Sequence, residues 1–167
     1  ATATGRASYT GLELHQFSGA ARGILIPDDR DREHGFASVD LSSIEPVTLA
    51  NLAVDTAFLA PYERGEDLYY PMVDALGLPQ ALGFAAAPTE KDPTGRVRSR
   101  KVSKVVLLGI MYTMGAAKLA ANLGLYLPDG SPDVERAKGL RQQVIDYLGA
   151  MSGYMRLTEH RARQYGH

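Results

Sequence analysis

Apolar positions recur at helical spacing along most of the chain, and prolines and glycines cut the recurrence into segments. Residues 43–59 carry one such pattern. Pro46 falls in its first turn, where a missing N–H costs nothing, and Pro61 is expected to stop it. Residues 67–76 predict a second helix, with Pro71 in the first turn and Gly77 after the end. A short helix over 79–87 precedes a polar loop, 88–95, that contains two prolines. From Arg98 to about Leu123 the pattern is helical again, with a break at Thr113–Gly115. Pro128-Asp129-Gly130 reads as a turn. Ser131 then reads as an N-cap, with Pro132 at N1 and Asp133 in the first turn, for a helix ending near Leu148. After a break at Gly149–Gly153, a last helix runs to about Tyr165. Residues 1–35 are rich in Gly, Ser and Asp and read as mostly irregular. Gly23–Pro27 and the alternating Phe36–Asp40 read as short strands. The fold class is therefore mainly α (α+β), with a few short strands near the N-terminus.

Composition narrows the function classes. The chain has 167 residues, 45% hydrophobic and 22% charged, a globular balance large enough for a real core. With no cysteine there is no disulfide framework, thiolate metal site or cysteine nucleophile, which fits a reducing cytoplasm. No apolar run approaches the ~20 residues of a membrane span, so no membrane partner is expected. Residues 1–4 carry no signal core and no methionine, as expected of a processed or excised chain. The four histidines lack metal-ligand spacing, Ser42 and Ser43 lack a nearby base, and no Gly-rich phosphate loop is present.

Net charge is −1, so any basic function must be local. Arg96, Arg98, Arg100, Lys101 and Lys104 form one basic stretch with no acid among them. A solvated helix start accounts for such a cluster. Cations at a helix N-terminus oppose the macrodipole, however, and an anion such as a phosphate would relieve the conflict. Within the stretch, Arg100, Lys104, Leu108 and Tyr112 are four residues apart and form one helical stripe. Cations at one end and an apolar and aromatic part at the other suit a ligand with phosphates and a flat base. On spacing alone, a core helix with a snorkelling Arg and Lys reads the same way.

The stretch from Arg100-Lys101-Val102-Ser103-Lys104 to Tyr112 resembles the O helix of A-family DNA polymerases, the bacterial and phage DNA polymerase I type. The match covers Arg100, Lys104, Gly109 and Tyr112. It departs at Leu108, where the family usually has an aromatic, and at Thr113, where glycine is usual. Asp40-Leu41-Ser42-Ser43-Ile44-Glu45 resembles the family's motif A, with departures at Leu41, Ser43 and Pro46-Val47. Two weaker matches keep the family's order. Thr4-Gly5-Arg6-Ala7-Ser8, followed by Leu14-His15-Gln16, resembles a primer-terminus motif. Gly65-Glu66-Asp67-Leu68-Tyr69 resembles the segment after motif A, where an N-cap by Asp67 is the alternative.

The resemblance implies a partial palm over 1–45 and a helical fingers subdomain over 46–167. It implies that Arg100 and Lys104 hold the triphosphate of an incoming deoxynucleotide, with Leu108, Tyr112, Glu45 and Tyr69 also at the nucleotide. Glu45 would pair with Tyr112 and help exclude ribonucleotides. Asp40 would be the catalytic metal ligand, joined by the Leu41 backbone carbonyl, for Mg²⁺, a hard cation that takes oxygen donors. On residues alone, Asp40 also reads as an Asx turn or helix cap. Arg6 and Gln16 would touch the primer-template. Two-metal phosphoryl transfer needs a second carboxylate, and the His-Asp-Glu segment that carries it in the family is absent from this sequence. An isolated fragment without turnover, partnered in the intact enzyme by the rest of the polymerase, is therefore expected. The alternative is a non-catalytic helical DNA- or protein-binding module derived from a polymerase.

Overall fold

The computed structural model describes residues 18, 20, 21 and 41–166. The chain divides into two compact units, Ala1–Leu41 and Ser42–His167. The predicted strands at 23–27 and 36–40 lie outside the described residues, as do Arg6, Gln16 and Asp40. The second unit is mostly helical: α1 (Ile44–Leu52), α2 (Thr56–Glu63), α3 (Tyr70–Ala75), α4 (Leu78–Ala81), α5 (Arg96–Met111), α6 (Ala116–Leu123), α7 (Val134–Tyr147) and α8 (Gly149–Tyr165). Its only β pairings among the described residues are two isolated bridges, Thr89 with Asp92 and Tyr126 with Pro132.

The single helix expected over 43–59 is two. α1 closes through paired hydrogen bonds, Asp55 N to Ala50 O (2.9 Å) and Val54 N to Asn51 O (3.1 Å), with Val54 at φ 55°. That is a Schellman stop, which ordinarily takes glycine at the left-handed position. Asp55 then caps α2 by accepting from Phe58 N at 3.0 Å. Pro61 does not stop a helix but sits inside α2. It has no N–H for the Ala57 carbonyl four residues back, a loss confined to the end of a short helix.

Three other boundaries move. The cap of α7 is Asp133, whose Oδ1 accepts from Arg136 N at 3.0 Å. Ser131 cannot serve, because its N–H and hydroxyl are both bonded to Asp129 Oδ1 in the preceding turn. No break separates Gly149 from Gly153. Leu148 closes α7 and opens α8, which runs on to Tyr165. α5 starts two residues earlier than the pattern implied, because Gly95 at φ 74° turns the chain into it.

The core of this unit gathers Leu59, Met72, Leu78, Leu107, Leu119, Val144, Leu148 and Met151 from seven helices. α5 packs against α3, α4, α6 and α7, so it is a central strut. Its inner face buries Ser99, Ser103, Val106, Leu107, Gly109 and Ile110. Removing this much apolar surface from water is the main favourable term holding such a bundle together. Among the described residues, no helix is long and apolar enough to cross a membrane.

Candidate nucleotide-binding helix

α5 carries the stripe on its outward side. Lys104 and Tyr112 are exposed, and Arg100 and Leu108 are half-buried. The inner face is a packed core, so the stripe and the core share one helix without competing for its surface.

The basic start of α5 is neutralised from within the chain. Asp92, only 4% exposed, accepts from the amides of Val97 and Arg98 at 3.0 Å each. It thereby supplies the anion that the helix N-terminus favours. The same carboxylate takes Arg98 Nε at 2.9 Å, and Arg98 Nη2 donates onward to the carbonyls of Phe84 (3.0 Å) and Ala87 (2.7 Å). The Arg98 guanidinium also lies over the Phe84 ring, 4.9 Å from its centre. Arg96 lies over Tyr70 at 4.4 Å and forks onto Asp74, Nε to Oδ1 at 2.8 Å and Nη2 to Oδ2 at 2.5 Å. Both arginines already have their Nε and Nη2 groups engaged within the chain.

Arg100 is held differently. Its Nε and Nη2 both end on one oxygen, Asp67 Oδ2, at 2.7 and 2.6 Å. The other oxygen of Asp67 accepts from the amides of Tyr69 (2.9 Å) and Tyr70 (3.3 Å) at the start of α3. Burial alone would push the Asp67 carboxyl up. The Arg100 hydrogen bond and the two amides outweigh burial and hold it below its ordinary value. The guanidinium rests over Tyr69, 5.2 Å from the ring centre, with Tyr70 at 6.0 Å. Tyr69 itself is 1% exposed. Its burial pushes the phenol up, against a hydrogen bond with Ser43 that pulls it down.

At the far end of the stripe, the Tyr112 hydroxyl donates to Glu45 Oε1 at 3.3 Å. Two residues from separate sequence motifs therefore meet where α5 ends. The helix stops through a second Schellman pair, Met114 N to Gly109 O (2.7 Å) and Thr113 N to Ile110 O (3.1 Å), with Thr113 at φ 54°.

Comparison of the whole sequence with known proteins finds bacterial DNA polymerases I. DNA polymerase I of Chloroflexus aurantiacus is 28% identical over 136 residues, 79% of this chain. DNA polymerase I of Synechocystis sp. is 28% identical over 156 residues, 90% of the chain, and that of Helicobacter pylori is 27% identical over 154 residues, also 90%. The chain is a distant relative of the A-family DNA polymerases. It spans 12–16% of the length of these relatives. No protein-family model and no solved structure matches it.

Of the residues predicted from sequence, Arg100, Lys104 and Leu108 share α5, and Tyr112 at its end meets Glu45 of α1. Tyr69 lies beneath Arg100 and faces the core. Leu41 is 66% exposed. Among the described residues, no three His, Asp or Glu side chains converge as a metal site. Sequence reasoning missed the acids that hold the α5 cations, Asp74 and Asp92, and the Arg100 contact of Asp67. Asp74 is 22 positions from Arg96, and Asp67 is 33 from Arg100, so no local spacing announces either pair.

Proposed function

We propose that this chain is the nucleotide-selecting part of an A-family DNA polymerase, with α5 as the helix that receives the incoming deoxynucleoside triphosphate. Arg100 and Lys104 would neutralise phosphate charge. Leu108 and Tyr112 would border the base and sugar, with Glu45 held against Tyr112 to narrow the space beside the sugar. Positioning and charge stabilisation of this kind supply most of the protein's part in phosphoryl transfer. Arg6 and Gln16 would contact primer-template.

The observation that carries this reading is the Tyr112–Glu45 hydrogen bond. It brings Glu45, from the segment that resembles motif A, to the far end of the helix that carries Arg100 and Lys104, and so supports the pairing that the resemblance implies. Asp40 and the Leu41 carbonyl are hard oxygen donors suited to Mg²⁺. In the intact enzyme, that ion would draw charge from the phosphates during nucleotidyl transfer. This sequence supplies one of the two carboxylates a two-metal centre needs, so we expect the isolated chain to bind nucleotide without turnover.

Calorimetric titration with dATP and Mg²⁺, beside an Arg100→Ala/Lys104→Ala double variant, tests the reading. Binding by the wild type that the double variant loses supports it. Equal binding by both moves the nucleotide elsewhere. Binding of DNA but no nucleotide would favour a non-catalytic polymerase-derived module, the reading that Leu41, Val47, Leu108 and Thr113 suggest.

A further inference from the structure

Three arginines open α5, and the chain satisfies them unequally. Arg96 has a full two-pronged carboxylate contact with Asp74. Arg98 is shared among Asp92 and two backbone carbonyls. Arg100 has one carboxylate oxygen for two of its N–H groups, because the second oxygen of Asp67 is bound to the amides of Tyr69 and Tyr70. A guanidinium is bound best by two parallel bonds to two oxygens. Asp67 cannot offer that while its other oxygen holds the amides of Tyr69 and Tyr70, whereas a phosphate can. The pair is also reachable, with the Arg100 side chain 32% exposed and that of Asp67 27%.

We propose that Asp67 is a positioning residue that holds the place of a phosphate. It keeps Arg100 extended over the Tyr69 ring and yields it to the incoming triphosphate. The proposal rests on the nucleotide reading of α5 above. In the exchange no covalent bond changes. Arg100 gives up its Nε hydrogen bond and its Nη2 ion-pair contact with Asp67 Oδ2 and forms a two-oxygen contact with phosphate. Asp67 keeps the amides of Tyr69 and Tyr70 at the start of α3, and its freed oxygen is solvated. The Tyr69 face stays under the guanidinium, so the arginine pivots on its stack while it changes partner. Asp67 therefore raises the order of the site before binding and lowers its affinity, because the triphosphate must displace a carboxylate.

Asp67→Asn separates these effects. Asparagine still caps a helix but carries no charge to hold Arg100. The measurement is dATP affinity in the presence of Mg²⁺ for the wild type, Asp67→Asn, Arg100→Ala and the Asp67→Asn/Arg100→Ala double variant, each checked for helicity by circular dichroism. Loss of the competing carboxylate should tighten binding by roughly three- to fivefold, the range a partly exposed ion pair can exert. The gain should vanish in the Arg100→Ala background. Binding by Asp67→Asn alone, with none by the wild type, supports the same exchange.

Wild-type binding that needs Arg100 but is unchanged or weakened by Asp67→Asn overturns the placeholder role and leaves the nucleotide reading standing. Binding that is indifferent to Arg100, or absent from both wild type and Asp67→Asn, overturns the nucleotide reading and the placeholder with it. If Asp67→Asn loses helicity, Asp67→Ser, which also caps without charge, is read by the same criteria.

Discussion

Tyr112 donates its hydroxyl to Glu45 across 67 positions of sequence, at 3.3 Å. The contact fixes the end of α5 to the start of α1, on the same side of α5 as Lys104. Because both side chains are accessible, its contribution to stability should be small, about 0.5 kcal/mol. A double-variant cycle of Glu45→Ala and Tyr112→Phe should return a coupling of that size in urea unfolding. Strictly additive variants would mean the contact is not held in solution. In the intact polymerase, Glu45→Ala should also relax the preference for deoxy- over ribonucleotides, read as the ratio of kcat/KM for the two.

The stops of α1 and α5 are both built on the wrong residue type for their backbone. Val54 and Thr113 occupy the left-handed position of a Schellman motif, at φ 55° and 54°. Each is exposed, so little packing is lost by removing the side chain. A left-handed L-residue costs about 1–2 kcal/mol, partly offset by the freedom glycine gains when unfolded. Val54→Gly and Thr113→Gly should therefore each raise stability by about 0.5–1 kcal/mol, visible as a higher Tm. A lower Tm for Thr113→Gly would show that the threonine stabilises the stop in some other way.

Gly95 is the opposite case. At φ 74° it enters α5, and a Cβ there would lie 2.5 Å from Phe84 Cβ and 2.6 Å from the Phe84 carbonyl carbon. Those atoms belong to the loop that Arg98 and Asp92 fasten. Gly95→Ala adds left-handed strain to a backbone clash and should cost at least about 2 kcal/mol. A melting curve matching the wild type would contradict the placement of this loop.

The acids that hold α5 also set its acid limit. Asp67, Asp74 and Asp92 are all held below the ordinary carboxyl value of 3.8. The stability they add is fully present above that value and is lost as pH falls through their lower, folded-state values. Unfolding free energy should therefore hold steady on the way down from neutral pH and fall below about pH 4. Asp67→Asn should make that fall shallower. An unchanged acid slope would mean that Arg100 is not paired with Asp67 in solution.

Much of the helical layout was legible where Pro and Gly act through their own backbone geometry. Pro71 and Gly77 bracket α3 closely, and the break near Thr113 and the end at Tyr165 fall where the pattern put them. The sequence hid the split between α1 and α2 because Val54, a residue with no preference for left-handed φ, makes the stop. It hid the cap at Asp133 because Ser131, the stronger local signal, is consumed by Asp129. For the candidate site, the stripe from Arg100 to Tyr112 could be read from four-residue spacing, and its partner Glu45 from the family resemblance. The resemblance to the phosphate-touching segment pointed to Tyr69, and the structure adds that the ring is buried beneath Arg100. The carboxylates that hold the α5 cations depend on how α3 and the 84–95 loop pack against α5, which no local pattern encodes.

Nucleotide binding on α5 is tested by photoaffinity labelling of the wild-type chain with an azido-substituted dATP in the presence of Mg²⁺, followed by mass spectrometry of the modified peptides. Label should fall within residues 96–112, be protected by excess dATP and be lost in the Arg100→Ala/Lys104→Ala variant. Label confined to α7 and α8, or label that excess dATP does not suppress, would contradict nucleotide binding on α5.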